Sequence, residues 1–323
     1  MPMPFMEPTT PVRKLAIVHG RKGYHRAAAE DYRPYMVQGR DFGCKDGMGA
    51  AYAVWKYDPE YLIFPTNYGE EFPWTLIDEN TEVLIGDFSY DRKTIEEANS
   101  IVKSLVLLDH HETSEATLGD LEYCFFDKMK CGAVMMWEFL HEGKEIPKLL
   151  MEIQNNDLGH TEGNKSAEIV SGYNSLEQCN HLEVFDTWTN CDLSALETIG
   201  DHIAVQQRRE VAEIMKSKVY GIKHIEGHTV AVINKSGPIN HILSALLEAK
   251  TGSGRKVDYA MSYFVTPRGA ALFQLRSDGR EHVGKIATKL FPGGGGHRQA
   301  AGGELKFPMS TSFLSDIYAT DQH

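Results

Sequence analysis

The sequence predicts an α/β protein: a parallel sheet covered by helices, followed by a second, smaller α/β domain. Three observations carry this. Short apolar runs alternate with stretches of helical period through residues 14–157. A long polar stretch of helical period, 196–218, then breaks the pattern. Apolar runs resume at 228–234, 259–265 and 270–276, with helical stretches at 239–250 and 281–290. The expected organisation is a first domain over 1–193, a helical connector over 194–222 and a second domain over 223–323.

Each element has its own warrant. KLAIVH (14–19) is an apolar run of strand length, as a strand buried on both faces requires. MGAAYAVWKY (48–57) is small and apolar throughout and reads as a buried helix opened by Asp46-Gly47. EYLIFPT (60–66), TEVLIGD (81–87) and SLVLLDH (104–110) are further strands, and DRKTIEEANSIV (91–102) is an amphipathic helix. CGAVMMWEFLH (131–141) and IPKLLMEIQN (146–155) are helices. The opening MPMPFMEPTTPVRK has no basic segment followed by an apolar one, so it reads as a loose Pro-rich tail and not a signal peptide.

Bulk properties narrow the function. A length of 323 residues suits two domains, and 42% hydrophobic with 24% charged residues is ordinary for a globular protein. No apolar run is long enough for a membrane helix. Five cysteines (Cys44, Cys124, Cys131, Cys179, Cys191) without a CxxC pair fit a reducing cytosol, so the expected location is cytoplasmic. A net charge of −12 argues against a broad duplex footprint and leaves room for nucleotides or short oligonucleotides in a local cleft.

Ligands of open parallel sheets bind beyond the carboxyl ends of the strands. Those ends carry His19, Asp87 and Asp109-His110-His111, while Asp46 precedes the first helix and Asp157 ends a later one. Such carboxylates and imidazoles, gathered at one edge, would repel and desolvate each other without a cation. Mixed Asp/His donors suit Mn²⁺, Fe²⁺, Co²⁺ or Mg²⁺ better than structural zinc. Two ions sharing one carboxylate are the usual device at a phosphorus centre. A second constellation, FPGGGGHRQAAGG (291–303), offers unshielded amides before an expected short helix, an anion nest to which His297 and Arg298 add donors. Arg276 closes a nearby strand.

In these residues the chain resembles the DHH phosphoesterases with a DHHA1 C-terminal domain, in their oligoribonuclease or nanoRNase-like branch. DGMGAA (46–51), IGDFS (85–89), LLDHH (107–111), NND (155–157) and LRS with GGGGHRQAAGG (275–303) carry the resemblance, in family order. It implies an active site in an interdomain cleft and two divalent ions, usually Mn²⁺. It implies that Asp87 bridges them, that Asp46, His110 and Asp157 complete one site, and that His19 serves the other. Asp109 and His111 would be close supports, with His111 near the scissile phosphate. Gly294, Gly295, Gly296, His297, Arg298 and Arg276 would hold the substrate's phosphate or base.

Two departures from the family pattern matter. Cys44 stands where Asp is common, although one branch writes HGxCxDG; it is either a soft ligand or a small buried residue. The His expected five before Asp46 is Asp41, whereas His19-Gly20 lies earlier, and the echo of VHGR (18–21) in VQGR (37–40) points to an insertion over 21–40. The favoured alignment keeps His19; the rival makes Asp41 the ligand. The insertion carries five Arg/Lys, two acids and three tyrosines, Tyr24, Tyr32 and Tyr35. A basic, aromatic excursion pinned beside the site could form a lid or channel wall.

The expected function is a metal-dependent phosphodiesterase that cuts short single-stranded oligonucleotides or dinucleotides to mononucleotides with metal-activated hydroxide. The alternatives are a 3′-phosphonucleotide phosphatase, a cyclic-dinucleotide hydrolase or, in another class, a non-catalytic nucleotide sensor. No membrane partner is expected. Oligomeric state stays open, a homodimer included.

Overall fold

The computed structural model describes residues 10–22, 33–160, 162–189, 191–237, 239–267, 269–292, 294–296 and 298–306. The N-terminal tail before residue 10, the middle of the insertion and His297 lie outside them. The chain divides into two compact units, Met1–Ile203 and Ala204–His323.

The first unit is built on strands β1 (Lys14–Lys22), β3 (Leu62–Thr66), β4 (Glu82–Gly86), β5 (Ser104–Asp109) and β6 (Cys124–Phe126). All run parallel, with β1 between β3 and β4, and β5 and β6 following β4. The strands read as apolar runs because both faces are covered. Leu15, Ile17, Val83, Ile85, Leu105 and Leu107 pack on one side, and Ala16, Val18, Leu84 and Leu108 on the other. Burying one such Leu or Ile stabilises by about 1.5–3 kcal/mol. The first face is covered by α2 (Arg92–Ile101) and α3 (Glu112–Leu118). The second is covered by α1 (Lys45–Tyr57), α4 (Gly132–Leu140), α5 (Lys148–Asp157), α6 (Ser166–Asn174) and α7 (Leu182–Thr189).

Register positions the site. Val18 pairs with Gly86, His19 with Thr66, Gly86 with Leu108, and Asp109 with Phe126. The strands therefore end level, and the residues after them line one edge.

The two ends of the insertion pair with each other. β1 continues past His19 to Lys22 and β2 (Arg40–Phe42) returns antiparallel, pairing Gly20 with Phe42, Arg21 with Asp41 and Lys22 with Arg40. Its ends thus meet, and the chain resumes at Cys44 beside His19. The described part of the excursion is not the open aromatic lid that its composition suggested. Tyr35 is buried, donates to Glu183 Oε2 at 2.9 Å and accepts from Leu182 N. Buried Arg33 donates to the carbonyls of Asn180 and Arg40. Tyr24 and Tyr32 lie outside the described residues.

Helix α8 (Ser194–Ser217) is the expected long polar helix. Leu196 belongs to the first unit's core and Ile214 to a core of the second. The second unit holds a mixed sheet, ordered β11 (Gly295–Gly296), β12 (Ala300–Lys306), β10 (Ala270–Arg276), β9 (Tyr259–Thr266), β8 (His228–Asn234), β7 (Gly221–Ile225). Only β8 and β9 pair in parallel, joined through α9 (Asn240–Leu246). Helix α10 (Val283–Leu290) covers part of the sheet.

The glycine-rich tract differs from expectation. Among the described residues no helix follows it: residues 300–306 pair with all of β10, and Gly295 and Gly296 pair with Gly302 and Ala301. The nearest helix, α10, ends before the glycines, so no helix N-terminus reinforces their amides.

Candidate metal centre

The site grows from the carboxyl edge of the parallel sheet. Asp87 follows β4 with a φ of +55°, a left-handed conformation that Asp tolerates better than most residues. Its two oxygens face different partners. Oδ2 lies 3.2 Å from Cys44 Sγ and 3.6 Å from His19 Nδ1. Oδ1 lies 3.3 Å from His110 Nε2.

Each partner belongs to a trio. His19, Cys44 and Asp87 have donor atoms within 4.8 Å of one another, and so do Asp46, His110 and Asp157. His110 Nε2 is 3.5 Å from Asp46 Oδ2 and 3.6 Å from Asp157 Oδ2. Cys44 is the N-cap of α1 and accepts from Gly47 N, which turns Sγ towards His19 at 3.2 Å. Gly47 is required there: a Cβ would sit 2.2 Å from the His19 carbonyl oxygen. Asp46 is held by the first turn of α4, its oxygens accepting from Gly132 N at 2.8 Å and Ala133 N at 2.7 Å.

Asp109 is fully buried, and Asp87, Asp109, His110 and His111 form a third group whose donor atoms lie within 4.8 Å of one another. Asp109 accepts from Ser89 Oγ at 2.6 Å and from His110 N at 2.8 Å, and it meets His111 Nδ1 at 2.5 Å. That last contact fixes the imidazole and leaves Nε2 as the ring's other proton-carrying atom.

Electrostatics fit a cation site. Burial pushes the Asp46 carboxyl well above the usual range, with Asp87 and Asp157 adding repulsion. Burial and Asp87 raise Asp157 too. Burial also works to raise Asp87, but hydrogen bonds with His110 and His19 hold it well below the usual range. Burial opposes charge on His110, yet Asp87 and Asp46 raise it to about 10. Without a metal, these acids are balanced only by protons and imidazolium. Hard carboxylates with imidazoles are a donor set for a divalent ion, and the softer Cys44 makes the two trios unequal.

The rival ligand Asp41 stands elsewhere. It accepts from Asn180 Nδ2 at 3.0 Å and meets Arg33 Nη1 at 3.4 Å, outside both trios. Strand-end reasoning passed over the residues after β3, where Tyr68 sits near His19, Phe88 and His111. It also passed over Ser89 and the amides of Gly132 and Ala133. A serine two residues after a strand-end acid is a weak signal, and backbone amides leave none in a sequence.

The other expected substrate residues lie in the second unit. Arg276 ends β10, half-buried, and burial lowers its pKa. Arg298 is exposed and donates from Nε to Gly279 O at 3.0 Å, while its carbonyl accepts from Ser277 Oγ and Val283 N.

No family model matches the chain. It is 25% identical over 297 residues to an uncharacterised protein of Acanthamoeba polyphaga mimivirus, covering 80% of this chain and 65% of that one. The chain thus spans less than two thirds of that relative's length. Among solved structures it is similar to an exopolyphosphatase-related protein of Bacteroides fragilis (13% identity, 95% of this chain and 90% of that one, TM-score 0.44). It is also similar to a pGpG-specific phosphodiesterase of Vibrio cholerae (12% identity, 93% and 94%, TM-score 0.41). Among the described residues no helix is long and apolar enough to cross a membrane.

Proposed function

We propose that this chain is a divalent-metal-dependent phosphodiesterase acting on dinucleotides or short single-stranded oligonucleotides. The observation that carries the reading is Asp87, whose Oδ2 meets Cys44 within its own trio while its Oδ1 faces His110 of the other. Asp87, His19 and Cys44 would hold one ion; Asp46, His110 and Asp157, with Asp87 shared, would hold the other. Divalent ions there supply positive charge for phosphoryl oxygens and lower the pKa of water. Mn²⁺ is the ion proposed, on the resemblance and the mixed donors.

The chain's own groups complete the chemistry. Asp109 orients His111 through Nδ1, so that Nε2 can pass a proton to the departing oxygen. Ser89 and the His110 amide hold Asp109 in turn. Arg276 and Arg298 are proposed to bind substrate phosphate, and the same role is proposed for His297. A nucleotide sensor remains the reading of another class, because Cys44 departs from the commoner Asp.

A panel of dinucleotide, longer RNA and DNA oligomers, 3′-phosphoadenosine 5′-phosphate and cyclic dinucleotides, run with Mn²⁺, tests this. Release of mononucleotides from the dinucleotide is expected. Binding without release under Mn²⁺, Mg²⁺, Co²⁺ and Fe²⁺ establishes the sensor instead.

A further inference from the structure

Four residues after β3, Asn67-Tyr68-Gly69-Glu70, form a turn that no charge or ligand pattern would single out. Glu70 N donates to Asn67 O at 3.1 Å, and Gly69 has a φ of +80°, as the third position of a type II turn requires. Tyr68 occupies the corner, its amide donating to Asn67 Oδ1 at 2.8 Å. Its ring rests on buried Phe88 at 5.0 Å between centroids, with His19 at 6.0 Å and His111 edge-on at 6.3 Å. Nearly half of the residue, 46%, is open to solvent. Part of the ring packs on Phe88, and the rest is open beside two imidazoles of a buried acidic centre.

The turn is anchored from the inserted segment. Arg40 on β2 is buried at 2% exposure. Its Nη1 donates to Glu70 Oε2 at 2.8 Å and to Pro65 O at 2.7 Å, and its guanidinium lies 3.7 Å over the Phe64 ring. Arg40 thereby ties the last residue of the turn to the end of β3 that precedes it. The inserted segment therefore separates His19 from Cys44 in sequence and also fixes the turn that presents Tyr68.

We propose that Tyr68 is the stacking face for a nucleobase next to the phosphate that is cleaved, held there by the Arg40–Glu70 pair. The inference rests on the phosphodiesterase reading for its substrate class, a nucleotide. Every base has a π-face, so such a platform recognises a base without reading its identity. Phe88 behind the ring limits its tilt, and the turn limits its reach.

The test uses the full chain with Mn²⁺ and two diesters: adenylyl-adenosine, and a ribose–phosphate–ribose dimer without bases. Tyr68→Ala should raise KM for adenylyl-adenosine about ten- to a hundredfold, more than it changes kcat, and act weakly on the base-free dimer. Tyr68→Phe should recover most of that loss, because the ring is what matters. Gly69→Ala adds a methyl where nothing lies within 4 Å, so it acts only through the positive φ. It should raise KM for the dinucleotide by a smaller factor and leave the base-free dimer alone.

Equal effects of Tyr68→Ala on both diesters, or none on either, overturn the proposal. So does a Tyr68→Phe protein with the kcat loss of a missing proton donor. If the wild-type chain cleaves neither diester, the phosphodiesterase reading fails, and stacking is then read from calorimetry with AMP and ribose 5-phosphate. Weaker AMP binding in Tyr68→Ala, with ribose 5-phosphate unmoved, upholds it; AMP binding that is absent or equal overturns it.

Discussion

The two units treat their polar residues in opposite ways. The first buries Asp46, Asp87 and Asp109 to 2% exposure or less at the end of a parallel sheet, each held by hydrogen bonds from named donors. The second leaves Arg276 half-buried and Arg298 exposed on and beside an antiparallel hairpin rich in glycine. Buried like charges must be neutralised by protons or by a cation, whereas cations at a surface can wait in water for an anion. On the proposed reading, the first unit would carry the metal chemistry and the second would capture the anion. The contrast also says which unit should tolerate substitution.

The largest effect should come from Asp87→Asn. Asn keeps the left-handed backbone, so the change tests charge and not folding. Turnover with Mn²⁺ should fall at least about a thousandfold, since loss of metal-stabilised charge costs several kcal/mol. Metal stoichiometry should fall with it, while the circular dichroism spectrum stays unchanged. Near-native turnover in that protein would break the contrast at its strongest point. Next in size is the pH dependence of metal binding. His110, raised to about 10, carries a proton at neutral pH that a metal must displace. Raised Asp46 adds to this. Apparent Mn²⁺ affinity should therefore rise with pH, about tenfold per unit for each proton displaced. Calorimetry in buffers of different ionisation enthalpy counts those protons; a pH-independent affinity from 6 to 8 contradicts the site.

Much of the first unit was legible because strands covered on both faces leave long apolar runs, as in KLAIVH and SLVLLD, and the acids after them stand out. The β1–β2 pairing was not, because β2 is three residues, RDF, and its partner is merely the tail of β1. Nor was the closeness of His19 and Cys44, which depends on that pairing between them. In the second unit AAGGELK neither alternates nor runs apolar, so the pattern does not show β12, and a short helix is expected after the glycines instead. β7 was missed because its hairpin turn puts Glu226, not Asn or Asp, at a positive φ of 50°. Tyr68 escaped because a search for charged donors passes over an aromatic side chain.

Arg276 offers the matching probe of the second unit. Burial desolvates its guanidinium, a cost that a bound phosphate would repay. Arg276→Ala should raise KM for a dinucleotide about tenfold, the usual scale of a charge-assisted hydrogen bond, and leave Mn²⁺ affinity unchanged. A change in metal affinity would erase the division of labour between the units.

The smallest effect sharpens the contrast inside the first unit. Asp41 sits five residues before Asp46, where one alignment wants a ligand, yet it bonds Asn180 and Arg33. Its carboxylate is already met by Asn180 Nδ2 and Arg33 Nη1, so it has no need of a metal. Asp41→Asn keeps the shape and one acceptor. It should cost about 0.5–1.5 kcal/mol of stability, a neutral hydrogen bond's worth, with Arg33 losing part of its charge partner. Mn²⁺ affinity and turnover should stay within about twofold. His19→Ala in the same background should instead remove one of the two ions, as counted by titration, because His19 Nδ1 faces both Cys44 and Asp87. If Asp41→Asn loses an ion and His19→Ala does not, the alignment that skips the insertion is wrong, and the insertion's ends close beside the centre without serving it.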